Sequence, residues 1–212
     1  MCGLLGLATT VKTPGFGDRR GFFQQGMLDS MWRGLQSTGV ALVKHGEADK
    51  NAEVYKSAIC AFDFLNRPYM ERVAAKFDDY SLILGHTRSA TRGNGVTDRN
   101  AHPFQYGNIT LVHNGTVDNA WDLVDYKDRG DATVDSDIVA LAMGRLKEKE
   151  DEKIILEKLK GEYTLIWHNS KEGTLNIARN EKRPLYWAFL EGENTMCWAS
   201  EYTLLWHLLR IL

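Results

Sequence analysis

Eight short segments of this 212-residue chain read as β-strands, and their grouping restricts the fold more than any other feature. They are residues 3–9, 39–44, 81–87, 108–113, 163–168, 174–178, 185–189 and 195–199. Each is rich in β-branched or aromatic residues and is bounded by Gly, Asn, Asp or Pro. The run Thr174-Leu175-Asn176-Ile177-Ala178 alternates as a half-buried strand does. Helices are expected at 22–34, 118–127, 136–148, 151–160 and 202–211. In the fourth, Ile154, Ile155, Leu156 and Leu159 form an apolar face among charges. The strands come in clusters with two or three helices between them, not in strict β-α-β alternation. That order predicts an α+β chain of mainly antiparallel sheets covered by helices. Neither a low-complexity linker nor an internal repeat divides the sequence, so residues 1–212 read as one domain.

Composition removes several classes of function. The 26 basic and 28 acidic residues leave a net charge of −2, so electrostatics gives no reason to expect nucleic acid or an anionic membrane as partner. Every apolar stretch falls short of the ~20 residues that span a bilayer. The N-terminal apolar run is glycine-broken and lacks a basic flank, unlike a secretory signal. Three cysteines without a close pair fit a reducing, cytoplasmic compartment better than a disulfide framework. Of these, Cys60 and Cys197 sit in apolar surroundings and read as core residues. His86, His102 and His113 lack metal-ligand spacing, and Gly15-Phe16-Gly17 is not followed by the Lys-Ser/Thr of a phosphate cradle. We therefore expect neither metal nor cofactor. The apolar helical pattern runs to Leu212 without a cap or polar tail. It predicts either a C-terminal continuation or a surface on which the last helix docks.

Cys2 directly follows the initiator methionine. Removal of Met1 would leave one residue with both a thiol and a free α-amine. An α-amine has a reference pKa of about 7.7–8.0, against about 10.4 for lysine, so it exchanges protons near neutral pH. The thiolate is a strong nucleophile. Such a residue is nucleophile and base at once.

Three clusters supply what this nucleophile would need. Arg88 follows an apolar strand in Gly85-His86-Thr87-Arg88-Ser89, and a guanidinium clamps a carboxylate through two hydrogen bonds. Asn114-Gly115 closes another strand, and a carboxamide NH2 with an adjacent backbone N–H makes an oxyanion hole. Asp137, in Asp135-Ser136-Asp137, offers a carboxylate to an ammonium group. Taken singly, each has an ordinary structural explanation: a solvated arginine, a turn, a helix cap. Taken together they describe a site for a free amino acid that carries a side-chain amide.

These residues carry a family resemblance. The segments Met1-Cys2-Gly3-Leu4-Leu5-Gly6, Arg33-Gly34 with Ser37-Thr38-Gly39, His86-Thr87-Arg88-Ser89-Ala90-Thr91, Asn100-Ala101-His102-Pro103, His113-Asn114-Gly115 and Asp135-Ser136-Asp137 occur in the order seen in class II glutamine amidotransferase domains, which they resemble. These are the N-terminal-nucleophile glutaminases of glucosamine-6-phosphate synthase, amidophosphoribosyltransferase and asparagine synthetase. A later stretch, Ala178-Arg179-Asn180-Glu181-Lys182-Arg183-Pro184-Leu185-Tyr186 with Trp198-Ala199-Ser200-Glu201, resembles the asparagine-synthetase branch.

The resemblance implies a four-layer αββα fold with two stacked antiparallel sheets. It implies Cys2 as nucleophile, its α-amine as base, and Asn114 with Gly115 as oxyanion hole. It further implies Arg88 on the glutamine carboxylate, Asp137 on the ammonium, Thr91 and His102 lining or bracing the pocket, and Arg33 near the nucleophile. The reaction implied is hydrolysis of glutamine to glutamate, with ammonia passing to an acceptor on a separate synthetase protein or on a missing C-terminal domain. The sequence departs from the glucosamine branch at Ser89 and Arg92, where that branch has tryptophan and histidine. Two alternatives remain open at this point. One is a hydrolase of larger γ-glutamyl amides, for which the small Ser89 leaves room. The other is a non-catalytic glutamine-binding or interaction domain.

Overall fold

A computed structural model describes residues 1–10, 18–90, 97–147 and 151–212. Thr91 and Arg92 lie outside the described residues, as does the end of the expected helix 136–148. Among the described residues the strands are β1 (Gly3–Thr9), β2 (Ser37–Lys44), β3 (Glu53–Ser57), β4 (Tyr80–Arg88), β5 (Phe104–Tyr106), β6 (Ile109–Val117), β7 (Gly161–Asn169), β8 (Thr174–Arg179), β9 (Tyr186–Leu190) and β10 (Thr195–Ala199). The α-helices are α1 (Arg19–Asp29), α2 (Ala61–Leu65), α3 (Pro68–Ala74), α4 (Asp135–Gly144), α5 (Lys153–Leu156) and α6 (Tyr202–Leu208). The strands form a six-stranded sheet of order β3-β2-β4-β1-β10-β9 and a four-stranded sheet of order β5-β6-β7-β8. All of these pairings are antiparallel.

Three apolar cores stack the layers. Phe22, Phe23 and Met27 of α1 recur at helical spacing and pack with Phe64, Met70 and Leu208 of α2, α3 and α6 on the outer face of the large sheet. Asp18 caps α1 by accepting from Gly21 N at 2.7 Å. Ile138, Val139 and Leu141 of α4, with Ile155 of α5, cover the outer face of the small sheet. Leu4, Ala41, Leu84, Val112, Ile166 and Trp198 fill the space between the sheets. Each large side chain so buried contributes roughly 1.5–3 kcal/mol before the entropy of ordering is charged against it. The result is the αββα layering that the family resemblance implied.

The two-residue period of a strand then decides what meets between the sheets. In β1, Leu5 and Leu7 enter the helix-side core while Leu4 enters the inter-sheet core. In β4, Ile83 faces the helices, and Leu82 and Leu84 face the small sheet. In β6, Ile109 and Leu111 face α4 while Val112 faces inward. Continuing each alternation turns Cys2, His86, Arg88 and Asn114 toward the space between the sheets, at one end of it.

Several elements differ from the sequence expectation. Residues 118–127 form two 3-10 turns, Ala120–Leu123 and Tyr126–Asp128, instead of a helix. The Asn119 side chain ties this segment to the residues before β7, donating to Lys158 O at 2.8 Å and accepting from Lys160 N at 2.7 Å. The helix expected at 22–34 gives way to a 3-10 turn at Ser30–Arg33, and that expected at 151–160 is helical only over Lys153–Leu156. Strands β3 and β5 and helices α2 and α3 were not expected; β3 is half-buried along its length and β5 has three residues. Asn114-Gly115 lies within β6, opposite Thr164 and Tyr163, and not in a turn. Among the described residues no helix is long and apolar enough to cross a membrane.

Candidate active site

Cys2 stands at the entrance to β1, the strand flanked by β4 and β10 near the middle of the large sheet. Two residues on, Leu4 is tied through both its backbone groups: Leu4 N donates to Ser200 Oγ and Ser200 N donates to Leu4 O, each at 2.9 Å. The Cys2 residue is 8 % exposed. With Met1 in place its nitrogen is a peptide N–H, and this donates to Asn114 Oδ1 at 3.1 Å across the inter-sheet space. The thiol lies 3.6 Å from Ser89 O.

Asn114 is fixed in this orientation. Its Oδ1 accepts from Cys2, so its NH2 group occupies the other branch, and Nδ2 is buried with no hydrogen-bond partner among the described residues. A buried, unspent donor costs free energy unless something arrives to accept from it. Gly115 follows with φ of +137°, and a Cβ there would lie 1.9 Å from Glu162 O. Only glycine tolerates this backbone.

Charge around the thiol is mixed. Burial pushes the Cys2 pKa up; a Ser89 backbone hydrogen bond, the N-terminal ammonium and Arg88 pull it down; Asp135 pushes it up again. Arg88 is itself buried, which lowers its pKa, while Cys2 and then Asp135 raise it. Cys2, Arg88 and Asp135 therefore form one electrostatic group. Asp135 opens α4, accepting from Val117 N at 2.8 Å and from Ser136 N at 3.0 Å. Ser136 Oγ meets His113 Nδ1 at 2.8 Å, which ties α4 to the residue before Asn114.

The structure brings together most of the residues picked from the sequence, though not all. Arg33 reaches Cys2 through the backbone: its Nε donates to Cys2 O at 2.9 Å, and its Nη1 pairs with Glu201. Its Nη2 lies 3.8 Å from Met1 Sδ. His102 stands one layer back, stacked on His86 with ring centroids 3.9 Å apart. Asp137 is elsewhere: two residues along α4 it turns to the opposite side from Asp135. There its Oδ1 accepts from Tyr106 Oη at 2.6 Å, and Arg99 Nη2 lies 3.8 Å from its Oδ2. Thr91 is outside the described residues. Asp135 and Ser89 were not assigned roles from the sequence. Asp135 carried the same local signal as Asp137, an acidic residue at a helix start, and only the direction of the helix face separates them. Among the described residues no group of three or more His, Cys, Asp or Glu is arranged to hold a metal ion.

Comparison with known proteins adds an independent line. A family model described as "Glutamine amidotransferase domain" matches residues 86–207, more than half of the chain. The glutamine–fructose-6-phosphate aminotransferase (isomerizing) of Corynebacterium diphtheriae is 27 % identical over 211 residues, covering 92 % of this chain and 32 % of that protein. The protein of the same description from Acinetobacter baylyi is 31 % identical over 180 residues, covering 80 % and 28 %. The chain thus spans about a third or less of the length of these relatives. A solved glutamine phosphoribosylpyrophosphate amidotransferase from B. subtilis, complexed with ADP and GMP, superposes with a TM-score of 0.72 over 98 % of this chain and 43 % of that one. At 20 % identity that likeness shows the fold.

Proposed function

The chain belongs to the glutamine amidotransferase domain family, and from that premise we propose that it hydrolyses the side-chain amide of glutamine through an N-terminal cysteine thioester. The observation that carries the reading is Asn114, which accepts from the Cys2 backbone with its oxygen and keeps Nδ2 buried and unspent.

The steps follow from the groups present once Met1 has been removed. The Cys2 α-amine takes the thiol proton, through a water, and the thiolate attacks the amide carbon. The new S–C bond pushes the carbonyl electrons onto oxygen, where Asn114 Nδ2–H and Gly115 N–H donate to the oxyanion. The ammonium returns its proton to the leaving nitrogen, the C–N bond breaks, and ammonia departs. Water then hydrolyses the γ-glutamyl thioester to glutamate and restores the thiol. Arg33 acts on the nucleophile's position through the Cys2 carbonyl, not on substrate.

Recognition of the amino-acid head falls to Arg88 for the carboxylate. For the ammonium, the electrostatic grouping of Asp135 with Cys2 and Arg88 supports Asp135 in place of Asp137. This has a chemical consequence. Asp135 opposes ionisation of the Cys2 thiol. A bound substrate ammonium would neutralise that opposition, so glutamine binding itself would favour the thiolate.

Ammonia then passes to an acceptor module on the same or another polypeptide. The support is the greater length of the relatives, of which the chain spans 32 % in the C. diphtheriae protein. The three cysteines are free, which supports a cytoplasmic setting. A specific observation favours a second reading, hydrolysis of larger γ-glutamyl amides. A groove of about 510 Å³ lined by Met31, Trp32, Leu35 and Ser89 adjoins the carbonyl that faces the thiol, and would house a larger leaving group. Initial rates of glutamate release from glutamine and from a γ-glutamyl anilide, for the wild type and Cys2→Ala, test both. Turnover of glutamine that vanishes in the variant supports the first reading. Turnover of the anilide alone supports the second.

A further inference from the structure

A row of residues crossing three strands takes no part in the chemistry above. Lys56 of β3 lies opposite Gly39 of β2, and Gly39 lies opposite His86 of β4. Their neighbours at the same parity, Val54, Ala41 and Leu84, pack into the inter-sheet core, so the whole row faces the small sheet.

Gly39 leaves the middle of the row empty, and the segment leading to β5 lies in the gap. A Cβ on Gly39 would sit 2.0 Å from the His102 carbonyl oxygen and 2.8 Å from Lys56 Cβ. On one side of the gap, Lys56 Nζ donates to the carbonyls of Arg99 at 3.3 Å, Ala101 at 2.8 Å and Pro103 at 3.1 Å. An ammonium has three donors, and a single five-residue stretch takes all three. The same Nζ stands 4.6 Å from the centre of the Phe104 ring. On the other side of the gap, the His102 ring stacks on His86 at 3.9 Å and 23°. His86 Nε2 lies 3.0 Å from His113 O. A carbonyl only accepts, so Nε2 carries the proton. That carbonyl belongs to the peptide whose nitrogen is Asn114.

We propose that Lys56 is a positioning residue for the nucleophile site: its ammonium seats residues 99–103 over Gly39, which holds His102 against His86 and so fixes the His113–Asn114 peptide. This rests on the reading of Asn114 as an oxyanion donor. The arrangement needs a three-donor head on a long stem, which an apolar residue of the same length does not supply. It is also costly to maintain. Burial, helped by the nearby Arg99 charge, lowers the Lys56 pKa from 10.5 to about 8, against the favourable charges of Asp137 and Asp98. Ser57 Oγ and Ala58 N donate to Asp98 Oδ1 at 3.0 and 2.6 Å, so β3 grips the start of the same segment as well.

The test compares Lys56→Met and Lys56→Arg in the full chain with Met1 removed, well below the melting temperature of each. Misplacement of a catalytic group by a fraction of an ångström to an ångström costs on the order of 10- to 100-fold in rate. We expect Lys56→Met to lose that much kcat with little change in KM, and the Asn114 and Gly115 amides to exchange with solvent faster. Lys56→Arg should recover much of both. Unchanged kcat per folded molecule together with unchanged exchange at Asn114 would overturn the proposal and leave Lys56 as a local tie between β3 and its neighbouring segment. If the wild type does not turn over glutamine, the reading of the site has failed instead. The exchange comparison then still decides whether Lys56 and Asn114 are linked.

Discussion

Replacing Asn114 by alanine and by aspartate separates the two jobs proposed for its carboxamide. The oxygen accepts from Cys2 N at 3.1 Å, and the buried Nδ2 is left for the substrate. Alanine removes both. Aspartate keeps an acceptor for Cys2 in nearly the same place but has no donor, and it adds negative charge where the oxyanion must form. Loss of one oxyanion donor typically costs about 10²–10³ in kcat, or about 2.7–4 kcal/mol of transition-state stabilisation. Loss of the bond to the Cys2 backbone adds about 0.5–1.5 kcal/mol of looser positioning. Alanine should therefore lower kcat by at least 10²-fold, and aspartate should be no better despite its isosteric shape. KM should stay near the wild-type value for both, because the proposed reading gives the amino-acid head to Arg88 and Asp135, not to Asn114. The assay is glutamate release over a range of glutamine concentrations, on protein shown by intact mass to lack Met1. An alanine variant with wild-type kcat and a raised KM would mean that Asn114 contributes uniform binding and no transition-state contact. An aspartate variant with substantial kcat would refute the donor argument equally well.

Other outcomes follow from the same geometry. Asp135→Asn should raise KM for glutamine sharply while Asp137→Asn leaves it within a few fold, measured in the same assay; the reverse order would return the ammonium site to Asp137. Gly115→Ala forces a Cβ within 1.9 Å of Glu162 O at φ of +137°, so it should fold poorly or melt well below the wild type, as thermal denaturation followed by circular dichroism would show. Lys56 gives a pH dependence with a definite sign. Its pKa is about 8 in the folded chain against 10.5 ordinarily, so between these values the unfolded chain holds more protons. Wild-type stability should then rise relative to Lys56→Met as pH goes from about 8 to 10.5, with no relative change below, measured by urea unfolding of both proteins.

What the sequence revealed, and what it withheld, divides along physical lines. Strands β1 and β10 match the expected limits because each is a continuous apolar run bounded by polar or turn residues. Strand β3, with Glu53 and Lys56 among its five residues, is half-buried and carries no such contrast. Cys2 and the Asn-Gly pair were legible as residue types whose chemistry is uncommon and whose order is that of a known family. Their meeting was not legible, because it depends on the alternation of β1 and β6 being in phase across two sheets. The choice between Asp135 and Asp137 was not legible for a related reason. Two acidic residues two positions apart at a helix start give the same local signal, and only packing of α4 turns one toward Val117 and the other toward Tyr106. Lys56 was invisible for a third reason: its partners are backbone carbonyls more than 40 residues away, which leave no mark of residue type.

The central claim is that Cys2 is a processed, glutamine-recognising nucleophile. Its most direct test is the intact mass of the purified protein before and after exposure to diazo-oxo-norleucine, a glutamine analogue that alkylates a competent nucleophile, followed by peptide mapping. The account predicts a chain lacking Met1 that gains a single adduct on Cys2, with labelling suppressed by excess glutamine. A chain that lacks Met1 yet takes no adduct on Cys2, or takes one that glutamine does not suppress, would contradict it.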